Sequence, residues 1–151
     1  MATPTELLRL MDADRFHEVL AASPKNFREE LFRRANVRAK GGGAFSLKSP
    51  NKNRVRAAKL LTKVKNGQGV GDDVLEEVIR NYLYTHRDLL ADALDALGVT
   101  HDDGLTDEDL DFIADLPTER GQELKSELAQ KHDAQDVDLY LRFMNIPGAS
   151  E

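Results

Sequence analysis

Apolar residues recur along this chain at helical spacing, and polar caps mark where each run begins. Thr3-Pro4-Thr5-Glu6 supplies a threonine N-cap, a proline at the first helical position and a glutamate three residues after the cap. Leu7, Leu8 and Met11 form the stripe behind it, and Asp12 then offers a fresh start for Phe16, Val19 and Leu20, which resume out of phase. Ser23-Pro24 repeats the cap-then-proline signal. Phe27, Leu31, Phe32 and Ala35 follow on one face of a helix expected to reach about Arg38, where Lys40 and three glycines end it. Ser49-Pro50 opens the next helix, with Val55, Ala58, Leu61 and Val64 expected inward and Lys52, Arg56, Lys59 and Lys63 outward. The Asn66-Gly67 turn closes it.

The strongest periodicity comes next: Val74, Leu75, Val78, Ile79, Tyr82 and Leu83, then Leu89, Leu90, Ala93, Leu94 and Leu97. Thr85-His86-Arg87-Asp88 between them has the form of a second capping box, stapled by Tyr84 and Leu89, and favours two helices in a hairpin over one long helix. Gly98 suits the C-terminal cap. Thr106-Asp107-Glu108-Asp109 predicts a third box, stapled by Leu105 and Leu110, and a short helix carrying Phe112, Ile113 and Leu116 as far as Pro117. Two more helices are expected over about 118–131, with Leu124 and Leu128 inward and Glu127 paired to Lys131, and over about 136–144 through Val137, Tyr140, Leu141 and Met144. Ala44-Phe45-Ser46-Leu47 is the one feeble strand candidate. The pattern therefore predicts an all-α fold: an irregular bundle of about seven or eight short helices in a single domain over 1–151. A flexible glycine-rich loop is expected at 39–53 and a frayed tail at 147–151.

At 151 residues the chain is large enough to bury one core, and it has no cysteine for a disulfide, a thiolate metal site or a thiol nucleophile. Residues 1–12 lack the basic start and apolar stretch of a signal peptide. The longest apolar run, Val19 to Ala22, is far short of the ~20 residues that span a bilayer. A cytoplasmic protein without membrane contact is the expectation.

Motifs that carry chemistry fail at definite positions. Gly42 to Ser49 imitates a phosphate-binding loop, but Leu47 replaces the glycine before Lys48 and no strand precedes it. Gly67-Gln68-Gly69-Val70-Gly71 lacks the third glycine of a dinucleotide fingerprint at the required spacing. His101-Asp102-Asp103-Gly104 suggests a calcium loop, yet that frame puts Val99 and Leu110 at the two anchoring positions, so turn chemistry explains it better. The histidines His17, His86, His101 and His132 have no second histidine one turn away; Asp14 with His17 and His132 with Asp136 are the helix-compatible pairs. No catalytic residue, metal or cofactor is expected, and the protein is not expected to be an enzyme.

Charge is what rises above background. The net charge is -6, but residues 1–70 hold 15 Lys/Arg against 6 Asp/Glu, and residues 71–151 hold 6 against 21. The basic charge concentrates over 25–65, with 13 Lys/Arg against 2 Asp/Glu, while 88–119 carries 11 Asp/Glu and no Lys or Arg. This predicts a basic contact surface of Arg33, Arg34, Arg38, Lys40, Lys52, Arg54, Arg56, Lys59 and Lys63. It predicts an acidic one of Asp88, Asp92, Asp95, Asp107, Asp109, Asp111 and Asp115. The leading functional expectation is a protein–protein interaction or adaptor module, with an unknown partner or a second copy of itself. The alternative is nucleic-acid binding by the 25–65 segment, against which stands the lack of a free aromatic for stacking. Plain solvation of both faces is the blandest reading.

Overall fold

Local capping and apolar spacing together set eight α-helices among the residues that the computed structural model describes, which are 3–37, 50–67 and 70–148. They are α1 (Pro4–Arg9), α2 (Ala13–Ala21), α3 (Lys25–Arg34), α4 (Pro50–Lys65), α5 (Asp72–Leu83), α6 (Arg87–Ala96), α7 (Thr118–Ala129) and α8 (Ala134–Phe143), with a 3-10 helix at Asp111–Asp115. The fold is all-α. The strand candidate at 44–47 lies outside the described residues, as does the expected loop up to Ser49; Pro50 to Asn53 are already helical. Among the described residues, backbone contacts gather into two compact units, 3–82 and 83–148.

In the first unit, the α1 box forms as the sequence predicts, with Thr3 and Glu6 each bonding the other's backbone, and Asp12 caps α2. Both α1 and α2 pack on α4. The inward face of α4 differs from expectation. Ala57, Leu60, Leu61 and Val64 are buried, whereas Val55 is 53% exposed. The reason is angular. Steps of three from residue 55 to 64 rotate by about 180° at 100° per residue, so Val55 and Val64 cannot share a face. Positions 57, 60, 61 and 64 fall within about 100°. Ser23 also differs: Pro24 takes the N-cap position of α3 with no side-chain cap bond, and the buried Ser23 hydroxyl accepts from Asn81 Nδ2 at 3.2 Å. The helix ends at Arg34, short of Arg38.

The second unit is built on α6, α7 and α8, with α7 packed against both of the others. Its caps depart from the sequence pattern in two places. His86 occupies the N-cap of α6 with no side-chain cap bond, so the box expected at Thr85 does not form. Thr106 Oγ1 bonds Thr100 O and Glu108 N in a local turn, so no helix starts there, and the 3-10 turn at 111 replaces the expected α-helix. Phe112 and Leu105 are left 40% and 39% exposed. Asp133, not Asp136, begins α8 by accepting from the amides of Gln135 and Asp136. Lys131 lies beyond the end of α7, and Glu127 pairs with Arg120 instead, at 3.6 Å.

One closure recurs. Asn36, Gly98 and Asn145 each adopt a left-handed conformation, with φ of 57°, 75° and 57°. In each case the next residue's amide reaches back five positions: Val37 to Phe32 O, Val99 to Leu94 O and Ile146 to Leu141 O, at 2.8–3.0 Å. All three aliphatic residues are buried beside the helix they close. The last closure brings Ile146 and Pro147 onto Gly121 of α7, and Gly148 onto Thr118. Pro147 and Gly148 are therefore packed rather than frayed; residues 149–151 lie outside the described residues.

Gly121 makes this closure testable. Mid-helix Gly→Ala ordinarily gains about 1 kcal/mol of helix propensity. Here an added Cβ would collide with the Pro147 carbonyl oxygen. Gly121→Ala is expected to lose at least ~1 kcal/mol in urea denaturation, the sign opposite to propensity. A stabilised variant would refute the close approach.

Candidate functional site

The expected basic surface is smaller than its composition. Arg38, Lys40 and the side chain of Lys52 lie outside what the structure describes. Arg56 is not on the surface at all. It sits 40° around α4 from Leu60 at the rim of the buried stripe, its side chain is 6% exposed, and its guanidinium lies 4.1 Å from the Phe32 ring centroid and 3.5 Å from Glu29. A long stem with a delocalised, weakly hydrated head can complete a core edge in this way. Arg33 and Arg34 are exposed but converge on Glu30, at 2.6 and 3.1 Å, and this holds the Glu30 carboxyl below its ordinary pKa, chiefly through the Arg33 hydrogen bonds. Arg54 reaches Asp14 at 3.2 Å.

Other arginines of this unit are engaged too. Arg15 bonds the Tyr82 hydroxyl at 2.8 Å and stacks over that ring, and Arg28 donates to the carbonyls of Ala21 and Ser23 at the end of α2. Lys59 and Lys63 remain. They project one turn apart from the outer side of α4 and line an open cleft of about 690 Å³ with Asn36, Val37 and Thr62. Among the described residues neither lysine has an ion pair.

The acidic surface divides differently. Asp92 accepts from His132 Nε2 at 2.7 Å, and Asp95 faces His101 Nε2 at the same distance. His132 thus meets Asp92 rather than the expected Asp136, which lies 3.9 Å from His86. His101 is fixed from both sides. Its Nδ1 accepts from the Gly104 amide at 3.0 Å, so the ring proton resides on Nε2 and is donated to Asp95. Asp103 and Gly104, with φ of 52° and 87°, form the two-residue turn closed by reciprocal bonds between Asp102 and Leu105, which accounts for the residues that mimic a calcium loop. Asp88, Asp107, Asp109, Asp111 and Asp115 are exposed and have no cationic partner among the described residues. The apolar Leu105 and Phe112 stand exposed in the same stretch.

Among the described residues no group of three or more His, Asp or Glu is placed to hold a metal ion, and no helix is long and apolar enough to cross a membrane. Comparison with protein-family models, curated proteins and solved structures finds no match to the chain.

Two measurements follow from the first unit. Arg56→Glu would bury a carboxylate beside Glu29 and is expected to cost ~3 kcal/mol or more in denaturation. Arg33→Glu and Arg54→Glu, at exposed ion pairs, should cost far less. Comparable losses at all three would put Arg56 on the surface after all. His17 gives the second. Burial first, then the charge of Arg54, lowers its pKa from 6.5 against an opposing effect of Asp14. The unfolded chain therefore takes up this proton at a higher pH than the folded one, and stability present above pH 6.5 falls as the pH drops below it. Chemical denaturation at pH 7.5 and pH 5.5 should show His17→Gln losing less on acidification than the parent; an identical loss would discount the histidine.

Proposed function

We propose that this chain is a non-catalytic protein-interaction module of the cytoplasm, and that its acidic face, residues 88–119, receives a basic segment of a partner protein. One observation carries the reading. Five exposed aspartates of this stretch have no cation beside them among the described residues, whereas Arg33, Arg34, Arg54 and Arg56 are already matched to carboxylates of their own unit. A row of unpaired carboxylates favours encounter with cations and selects against acidic partners. The exposed Leu105 and Phe112 add an apolar foothold within it, which is the usual company of polar rims at protein contacts. Nucleic acid on residues 25–65 is the weaker reading, because a phosphate backbone would have to displace Glu30 and Asp14 from the arginines it needs.

The test is a titration of a fluorescein-labelled peptide of alternating arginine and leucine at low and high salt, followed by anisotropy. Binding is expected at low salt, weakening at least ~10-fold when Asp107, Asp109, Asp111 and Asp115 become Asn. Absence of low-salt binding, or equal binding by the variant, would overturn the reading. Sedimentation at the same salt levels identifies the partner further: a dimer that the same substitutions dissolve makes it a second copy of this chain.

A further inference from the structure

We propose that the cleft formed by Lys59, Lys63, Thr62, Asn36 and Val37 binds a phosphate monoester. The inference does not rest on the acidic face. The cleft has a volume of about 690 Å³, and no carboxylate lines it among the described residues. Its two ammonium groups spring from positions one turn apart, with Cβ atoms about 6 Å from each other. Like charges at that spacing oppose helix formation. The charge of Lys63 suits the last turn of α4. Lys59 stands more than a turn further in, and its charge has no such use in the fold.

The contrast with the neighbouring arginines is the second observation. Arg33, Arg34, Arg54 and Arg56 each meet a carboxylate, while these two lysines meet none among the described residues. Thr62 directs its hydroxyl proton to Ala58 O at 3.1 Å, so its donor is already committed. Positive donors in the cleft are therefore the lysines, with the Asn36 amide beside them.

Two cations one turn apart match the near −2 charge and the three acceptor oxygens of a single terminal phosphate. A nucleic-acid backbone presents a row of single charges and needs a row of free cations. On this unit Arg33, Arg34 and Arg54 are held by Glu30 and Asp14 instead. The favoured ligand is thus one doubly charged phosphate group.

The experiment uses the 151-residue chain labelled with nitrogen-15. Amide spectra are recorded during titration with inorganic phosphate, with a short peptide carrying one phosphoserine, and with oligothymidylate, against sodium chloride at matched ionic strength. Phosphate and phosphopeptide should move the amides of Asn36, Val37 and Thr62 saturably, and chloride should not. Lys59→Gln combined with Lys63→Gln should weaken this at least ~10-fold with no fall in the thermal midpoint. Tighter binding of the phosphopeptide than of free phosphate assigns the source to a phosphorylated side chain, and the reverse order to a small phosphate; either supports the site. Shifts reproduced by chloride, shifts that survive in the double variant, or preferential binding of oligothymidylate would each overturn it.

Discussion

Every α-helix among the described residues is short, from six to sixteen residues, and pieces of that length hold together only when their apolar stripes are buried against one another. The constraint on which packing depends is how the chain leaves each helix. At three ends it leaves the same way: one left-handed residue, then one buried aliphatic residue folded back over the last turn. The bond from Val37, Val99 or Ile146 to a carbonyl five residues earlier satisfies an otherwise orphaned acceptor and sets the exit direction. At the end of α8 that exit direction lays Pro147 on Gly121, so a local turn becomes a tertiary contact.

Charge follows a division of labour by side-chain chemistry. Arginine, with a planar fork and a weakly hydrated head, is used where a group must serve the fold: under α4 against Phe32, across Tyr82, and at the carbonyl ends of α2 and α6, where Arg120 reaches Ala96 O at 2.6 Å. Lysine, more strongly hydrated, is left on the outer side of α4. The same separation operates among the carboxylates. Asp92 and Asp95 fix histidines, and the aspartates from 107 to 115 fix little beyond local turns. A count of charges cannot tell these roles apart, because it treats an aspartate that holds a histidine like one that faces water.

What the sequence made legible was whatever is decided within about one turn. The caps at Thr3 and Asp12 and the closure at Gly98 have their partners a few positions away. Partnerships across longer spans escaped it: Ser23 with Asn81, His132 with Asp92, Arg56 with Glu29, separated by 58, 40 and 27 residues. Other departures were local all the same: the caps expected at Ser23, Thr85 and Thr106 do not form. Counting α4 in steps of three placed Val55 on the side opposite to Val64, and Asn36 and Asn145 were passed over because asparagine signals a left-handed closure less plainly than glycine does.

The acidic run itself has a structural consequence that bears on function. Between the end of α6 and the start of α7 the chain forms a tight turn, an open stretch and one 3-10 turn rather than the α-helix that Thr106 would suit. Asp and Asn compete with helix by bonding backbone amides close by, and here Asp109 takes the amide of Asp111 and Thr106 that of Glu108. An α-helix would have gathered its aspartates on a few stripes and turned Phe112 inward as its periodicity suggests. The irregular backbone instead spreads them outward and leaves Phe112 exposed among them. The residues that spoil the helix are thus the ones left exposed by its absence. The local bonds prevail over the helix here because each side chain satisfies an adjacent amide without the cost of a helix nucleus.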